Sequence, residues 1–227
     1  LYFDFLGYTN MAQGLGKMCG ISLEENFDNP YLANSISSFW RKWHISLSNF
    51  FKEYVYFPLG GSKKNKLITI RNLMVVWLLT GIWHGNTINF LLWGLYYGII
   101  IVLEKFVLNN FLEKLPKIFK HLYVIIIVLF GYILFTQNSL NDISLFISNM
   151  FKGNLYNNEV IFYLRDNLFL IILSLLMILK LPESIKNKIS NNKFINIVII
   201  IIYVCLFIIT VSFILSGSFK PFLYNSF

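Results

Sequence analysis

Two of the three histidines in this 227-residue chain directly follow a tryptophan. His44 stands in Phe39-Trp-Arg-Lys-Trp-His-Ile-Ser-Leu-Ser48, and His84 in Leu79-Thr-Gly-Ile-Trp-His-Gly85. An imidazole titrates near neutrality, so it can take a proton in one step and return it in the next. Placed in or near a bilayer, it is costly enough to be a functional candidate by default. Three chemistries suit it. As a general base, it takes the proton of an acceptor hydroxyl as that oxygen attacks an activated acyl group. Desolvated walls then strengthen charge pairing around the developing oxyanion. A metal site would need Asp4, Glu53 or Asn10 to supplement two histidines, at no recognisable spacing, so no metal is expected. Proton-coupled transport would pair histidine with acids in successive spans, which carry almost none. Neither a serine nucleophile elbow nor a phosphate loop is present. His121, beside Lys120 at the start of an apolar run, reads as interfacial.

The elements around these imidazoles are built for lipid. Hydrophobic residues make up 56% of the chain and charged ones 13%, and the mean hydropathy is +0.62. A soluble domain carries about twice that share of charge. The excess lies in long runs: Leu67–Trp83, Ile88–Leu103, Leu122–Phe135, Val160–Leu179 and Phe194–Leu215, which imply five crossings after residue 66. The net charge of +8 comes from lysines between the runs (Lys63, Lys64, Lys66; Lys114, Lys117, Lys120; Lys186, Lys188, Lys193). Such clusters read as anchors facing anionic membrane lipid rather than as a nucleic-acid surface. Every inter-span loop carries lysine, which leaves orientation open. Cys19 and Cys205 are isolated and read as inert fillers.

Ahead of the runs, Gly7, Gly14, Gly16 and Gly20 have the spacing that lets helices approach closely in lipid. Asn29-Pro30 marks a loop, and Ser35 or Ser37 offers a helix cap. Phe39 to Val55 is amphipathic and too short to cross, so a re-entrant or interfacial helix is expected, with Trp40, His44, Leu47, Phe51 and Tyr54 on one face. Pro58 and Gly60-Gly61 end it. In the first long run, Arg71 is placed to snorkel to the headgroups, and Gly85 caps the far end. Trp77, Thr80, Gly81 and His84 share a face there. The small Thr80 and Gly81 are expected to leave room beside the imidazole, with Trp77 and Trp83 as walls. Glu104-Lys105 closes the second run. Asn138–Phe151 is amphipathic and expected at the surface. Residue 1 falls inside what looks like an element, so the chain is expected to be the carboxy-terminal part of a longer one.

Five ordered motifs resemble a known family: Tyr2-Phe-Asp-Phe-Leu-Gly-Tyr-Thr-Asn-Met-Ala-Gln-Gly-Leu-Gly16, Glu25-Asn-Phe-Asp-Asn-Pro-Tyr31, Phe39 to Ser48, Tyr54-Val-Tyr-Phe-Pro-Leu-Gly-Gly61 and Leu79 to Gly85. They resemble the membrane-bound O-acyltransferase superfamily, in the bacterial branch that includes alginate O-acetylases. Gly131 to Leu140 matches a later motif more loosely. The sequence departs from the pattern at Asn10, where many relatives have an acid, and at Thr136-Gln137, which replace an arginine-bearing stretch.

The resemblance implies an all-α polytopic membrane fold, incomplete at its amino terminus, with helices around a central funnel. It implies a single membrane domain over 1–227, with a catalytic motif region at 1–105 and carboxy-terminal transmembrane helices at 106–227. His84 matches the catalytic histidine and His44 the second histidine of bacterial members. Trp40, Trp43, Trp77, Thr80, Gly81, Trp83 and Asn86 are expected to line the substrate path. Arg41, Lys42, Lys63 and Lys64 are candidates for meeting an anionic donor. No bound cofactor is implied. The co-substrate would be an acyl thioester, acetyl-CoA or an acyl carrier, and the acceptor a cell-surface polysaccharide such as alginate, modified with an extracytoplasmic acetyltransferase partner at the bacterial inner membrane. D-alanyl transfer to teichoic acid is the alternative within the class. Outside it stand a non-catalytic scaffold or transporter and a haem- or metal-bearing membrane protein.

Overall fold

The computed structural model describes residues 1–137, 139–152, 157–178 and 191–216, and these are helical apart from turns and loops. Helix α1 spans Tyr2–Met18, and a short loop leads to a 3-10 turn at Pro30–Leu32. Two short helices follow, α2 (Ile36–Trp40) and α3 (Ile45–Phe51), the latter widening into a π turn at Lys52–Tyr56. The long helices are α4 (Lys66–His84), α5 (Ile88–Leu103, continued by a π turn at Glu104–Leu108 and by α6, Asn109–Lys114) and α7 (Lys117–Thr136). Then come α8 (Leu140–Lys152), α9 (Asn158–Ile178) and α10 (Lys193–Leu215). Among the described residues, five helical stretches, at α4, α5–α6, α7, α9 and α10, are long and apolar enough to cross a membrane. Leu179, Lys186, Lys188 and Asn138 lie outside the described residues.

Packing centres on α4 against α5, with α7 also packed on α5. Apolar side chains gain little by leaving lipid for one another, so close helix contact depends on small residues and polar pairs. Gly81 and Gly94 meet at the α4–α5 crossing: a methyl added at Gly81 would sit 2.5 Å from the Phe90 carbonyl oxygen, and one at Gly94 would collide with the Trp77 carbonyl. Gly98 continues the stripe against Trp77 and Met74. Tyr97 fills the notch at Gly131 on α7, and the Tyr96 hydroxyl donates to the Ile127 carbonyl at 2.9 Å. In α1, a methyl built at Gly16 would meet the Ile21 carbonyl oxygen at 3.1 Å and the Leu23 side chain at 3.2 Å, whereas no described atom lies within 4 Å of one at Gly7 or Gly14.

The stretch from Phe39 to Val55 is not the single helix expected from its periodicity. Residues 26–28 run antiparallel to 42–45 instead: Phe27 bridges Trp43, the Asp28 amide donates to the Lys42 carbonyl at 3.0 Å, and the Ile45 amide donates to the Asn26 carbonyl at 3.0 Å. Pairing across the chain takes the backbone groups that a continuous helix would need, so α2 and α3 are separated by a corner. Ser35 does cap α2, its hydroxyl accepting the Ser38 amide at 3.0 Å. The rest of that cap comes from far away. Glu104 is 4% exposed and does not close a span in the interface; its carboxylate accepts the Ile36 amide at 2.6 Å and the Ser37 amide and hydroxyl at 2.8 and 2.7 Å.

Arg71 is exposed, and its guanidinium donates to the Asn72 side-chain oxygen at 2.9 and 3.2 Å. The fully buried Asn72 amide in turn donates to the Leu59 and Gly61 carbonyls at 3.1 and 3.0 Å. That clamps the turn in which Gly60 and Gly61 take positive φ angles of 100° and 55°. His121 is a tie as well: its Nδ1 lies 3.0 Å from the Ala33 carbonyl. Helices α9 and α10 carry no buried residue across their apolar spans and expose large apolar side chains on all sides, which suits a lipid environment.

Candidate functional site

His84 is the last residue of α4, where Gly85 lets the chain leave the helix. Its ring is boxed by aromatics from three helices. Trp93 of α5 lies 4.9 Å away and Phe135 of α7 5.1 Å, both edge-on; Trp83 is at 5.0 Å, and Phe90 stacks at 6.1 Å. His44 sits at the corner between α2 and α3 in the left-handed backbone region, with φ 47° and ψ 57°. For a residue other than glycine that conformation costs about 1–3 kcal/mol and persists only where surrounding structure imposes it. The bonds from Asn26 and Asp28 on either side of the corner do so. The imidazole of His44 meets Phe5 of α1 edge-on at 4.7 Å and Trp83 at 6.0 Å.

The two imidazoles both pack against Trp83 and line one cavity of about 830 Å³. Trp40, Trp43, Trp77 and Thr80 line it as well. Trp40 anchors the wall, with Tyr97, Trp77 and Trp93 at 4.8, 4.9 and 5.4 Å. A second cavity of about 740 Å³ is lined by His44, Trp83, Asp4, Gln13, Glu24 and Asn26 among others. His44 therefore faces both spaces, and His84 lines the first. Burial pushes the pKa of His44 down to about 4, which keeps this imidazole neutral at pH 7. A neutral imidazole is the form that can accept a proton.

The remaining sequence-derived candidates divide. Gly81 leaves no room beside His84, because its missing side chain is occupied by the α5 backbone. Trp83 walls the second cavity, and Asn86 lines neither. Of the cationic candidates, Arg41 lines the first cavity. Lys42 pairs with Asp28 at 3.4 Å, and Lys63 and Lys64 line neither cavity. The other cations lining that cavity are Lys52, Lys105 and Lys120, which composition alone marks only as anchors or leaves unremarked. Lys120, Tyr132 and Phe135 come from beyond residue 105, so the cavity draws on both stretches of the chain. Asn26 was also missed. Its side-chain oxygen receives the Ser46 amide and hydroxyl at 3.1 and 2.7 Å and lies 3.2 Å from Nδ1 of His44. Among the described residues, no three His, Cys, Asp or Glu side chains gather into a metal-binding group.

The first cavity thus combines two imidazoles, an aromatic lining and the cations Arg41, Lys52, Lys105 and Lys120. The model of the membrane-bound O-acyltransferase family matches residues 1–147, which include both histidines and leave α9 and α10 outside. A probable alginate O-acetylase of Pseudomonas fluorescens is 41% identical over 141 residues, covering 62% of this chain and 28% of that protein. The peptidoglycan O-acetyltransferase of Helicobacter pylori is 41% identical over 145 residues, covering 63% and 28%. The teichoic acid D-alanyltransferase of Bacillus subtilis is 35% identical over 129 residues, covering 54% and 31%. The chain thus spans under a third of the length of these relatives. With the aromatic site at the meeting point of α4, α5 and α7 and the family model covering both histidines, this chain belongs to the membrane-bound O-acyltransferase family.

Proposed function

We propose that the protein moves an acetyl group from a thioester donor, acetyl-CoA or an acyl carrier, toward a cell-surface polysaccharide, with His84 as the base and His44 orienting the acyl group or relaying the proton. The observation that carries this reading is the single cavity lined by both imidazoles. In the transfer step the acceptor hydroxyl oxygen bonds to the acyl carbon and its proton passes to the imidazole. The carbon–sulfur bond then breaks, and the departing sulfur takes that proton back. Arg41, Lys52, Lys105 and Lys120 are the groups assigned to the donor's phosphates, in place of Lys42, Lys63 and Lys64. The setting is a multi-pass protein of the bacterial inner membrane, with an extracytoplasmic acetyltransferase completing delivery.

The test is acetyl transfer to polysaccharide in membranes carrying the full-length protein. Loss of a general base lowers the rate by about 10²–10⁴-fold, the fall expected for His84→Ala. Undiminished transfer removes His84 from the mechanism. The similarity to a teichoic acid D-alanyltransferase supports a second donor, D-alanine on a carrier protein. Offering labelled acetyl thioester and labelled D-alanyl carrier side by side distinguishes the two by which label moves.

A further inference from the structure

We propose that Asn26 is a positioning residue that locks His44 in the tautomer carrying its proton on Nδ1, leaving Nε2 as the lone-pair nitrogen. The inference rests on the reading that His44 takes part in acyl transfer. Its argument begins with an obligatory donor. The Ser46 backbone amide can only donate, and it lies 3.1 Å from the Asn26 side-chain oxygen, so that atom is the amide's oxygen and not its nitrogen. The Ser46 hydroxyl, 2.7 Å away, donates to the same oxygen. An amide oxygen cannot donate, so Nδ1 of His44, 3.2 Å from it, carries the hydrogen of that contact. The alternative partner for Nδ1 is the Ser46 hydroxyl at 3.5 Å, a longer contact whose proton is already directed at Asn26.

With Nδ1 occupied, the basic nitrogen lies on the far edge of the ring. Asn26 lines only the second cavity, whereas the ring of His44 also lines the first, where His84 stands. The anchor is rigid because Asn26 is held through its backbone too, its carbonyl accepting the Ile45 amide at 3.0 Å. Asn26 thus helps hold the strained corner and sets the tautomer.

The experiment uses the full-length protein in lipid bilayers with ¹⁵N-labelled histidine, read by solid-state NMR, with His44→Gln identifying the His44 signals. Wild type should show a protonated Nδ1 and an unprotonated Nε2 at His44. Asn26→Leu should lose that pattern and lower kcat by about 10–100-fold, the usual cost of removing an orienting partner. Asn26→Asp, which keeps the acceptor oxygen, should keep the pattern and restore most of kcat. A wild-type His44 protonated on Nε2 overturns the inference. So does an Asn26→Leu protein that keeps the Nδ1–H pattern. Should Asn26→Leu fail to fold, the wild-type spectrum and the Asn26→Asp variant still decide. If His44→Gln leaves transfer intact, the role proposed for His44 falls instead; if it abolishes transfer while the wild-type tautomer is wrong, this inference alone falls.

Discussion

Glu104 holds the site together from a distance, and removing it should be costly. Its carboxylate accepts three hydrogen bonds of 2.6–2.8 Å from the start of α2 while only 4% exposed. In Glu104→Ala the Ser37 hydroxyl can turn elsewhere, but the Ile36 and Ser37 amides lose their acceptor in a buried place. Each such orphan costs about 1–3 kcal/mol, and the lost charge-assisted cap adds about 1 kcal/mol, so roughly 3–7 kcal/mol is expected in all. Glu104→Gln keeps one acceptor oxygen, and its amide can donate to the Ser37 hydroxyl, so about 1–2 kcal/mol is expected. At roughly 2–4 °C per kcal/mol for a chain of this size, Glu104→Ala should melt about 6–28 °C lower and Glu104→Gln should fall in between. Thermal unfolding in detergent, followed by loss of monodispersity, reads this directly. Because α2 carries Phe39 and Trp40 to the cavity, acetyl transfer should fall in the same order. A Glu104→Ala protein melting within about 2 °C of wild type would refute the claim that this carboxylate supports α2.

Two further perturbations probe the corner and the crossing. The folded pKa of His44 lies near 4 and its unfolded value near 6.5, so the unfolded chain binds the extra proton between those values. Stability from neutral His44 is therefore complete above pH 6.5, falls as pH drops toward 4 and levels off below. The loss is at most about 3 kcal/mol at ~1.36 kcal/mol per pH unit. Melting temperature should drop more steeply from pH 7 to 4.5 in wild type than in His44→Gln, with Asp4, Glu24, Tyr8 and His84, which share the cavities with His44, common to both proteins; parallel curves would contradict it. Gly94→Ala drives a methyl into the Trp77 carbonyl and to 3.2 Å from the Gly81 Cα, so α4 and α5 must part. Overpacking of this kind costs about 1–3 kcal/mol, and acetyl transfer should fall with the melting temperature because Trp77 and Trp93 flank the crossing; an unchanged melting temperature would show that the helices separate freely.

The spans were legible because length and apolarity alone decide them: Ile88–Leu103 and the five crossings emerge from hydropathy without any knowledge of contacts. Both histidines were legible for the same reason, since an imidazole among apolar runs stands out. What stayed hidden was pairing between distant residues. The periodicity of Phe39–Val55 is genuine on each side of the corner, yet nothing local announces that residues 26–28 will take its backbone bonds. Glu104 and Arg71 looked like span ends because charge at a hydrophobic boundary usually is one; their partners, at Ile36, Ser37, Leu59 and Asn72, are fixed only by the tertiary arrangement. Gly81 was read as space for a ligand when it is space for a helix, a distinction that one helix alone does not carry.

These hidden pairings share a physical origin. Inside a bilayer an apolar side chain gains little by exchanging lipid for protein, so hydrophobic packing cannot hold short, non-spanning segments in register. An unsatisfied backbone amide is costly there, and that cost is directional. Segments such as α2 and the turns at His44 and Gly60-Gly61 are accordingly tied by polar side chains from elsewhere in the chain: Glu104 for α2, Asn26 for the His44 corner, Asn72 for the glycine turn. Each anchor fixes a backbone position to within a hydrogen bond's tolerance, and two of the three act on residues that line the first cavity. The placement of His44 relative to His84 therefore depends less on the bulk of the helix bundle than on a few buried polar groups, and conservative changes at those groups should disturb transfer more than larger changes on the lipid-facing surfaces of α9 and α10.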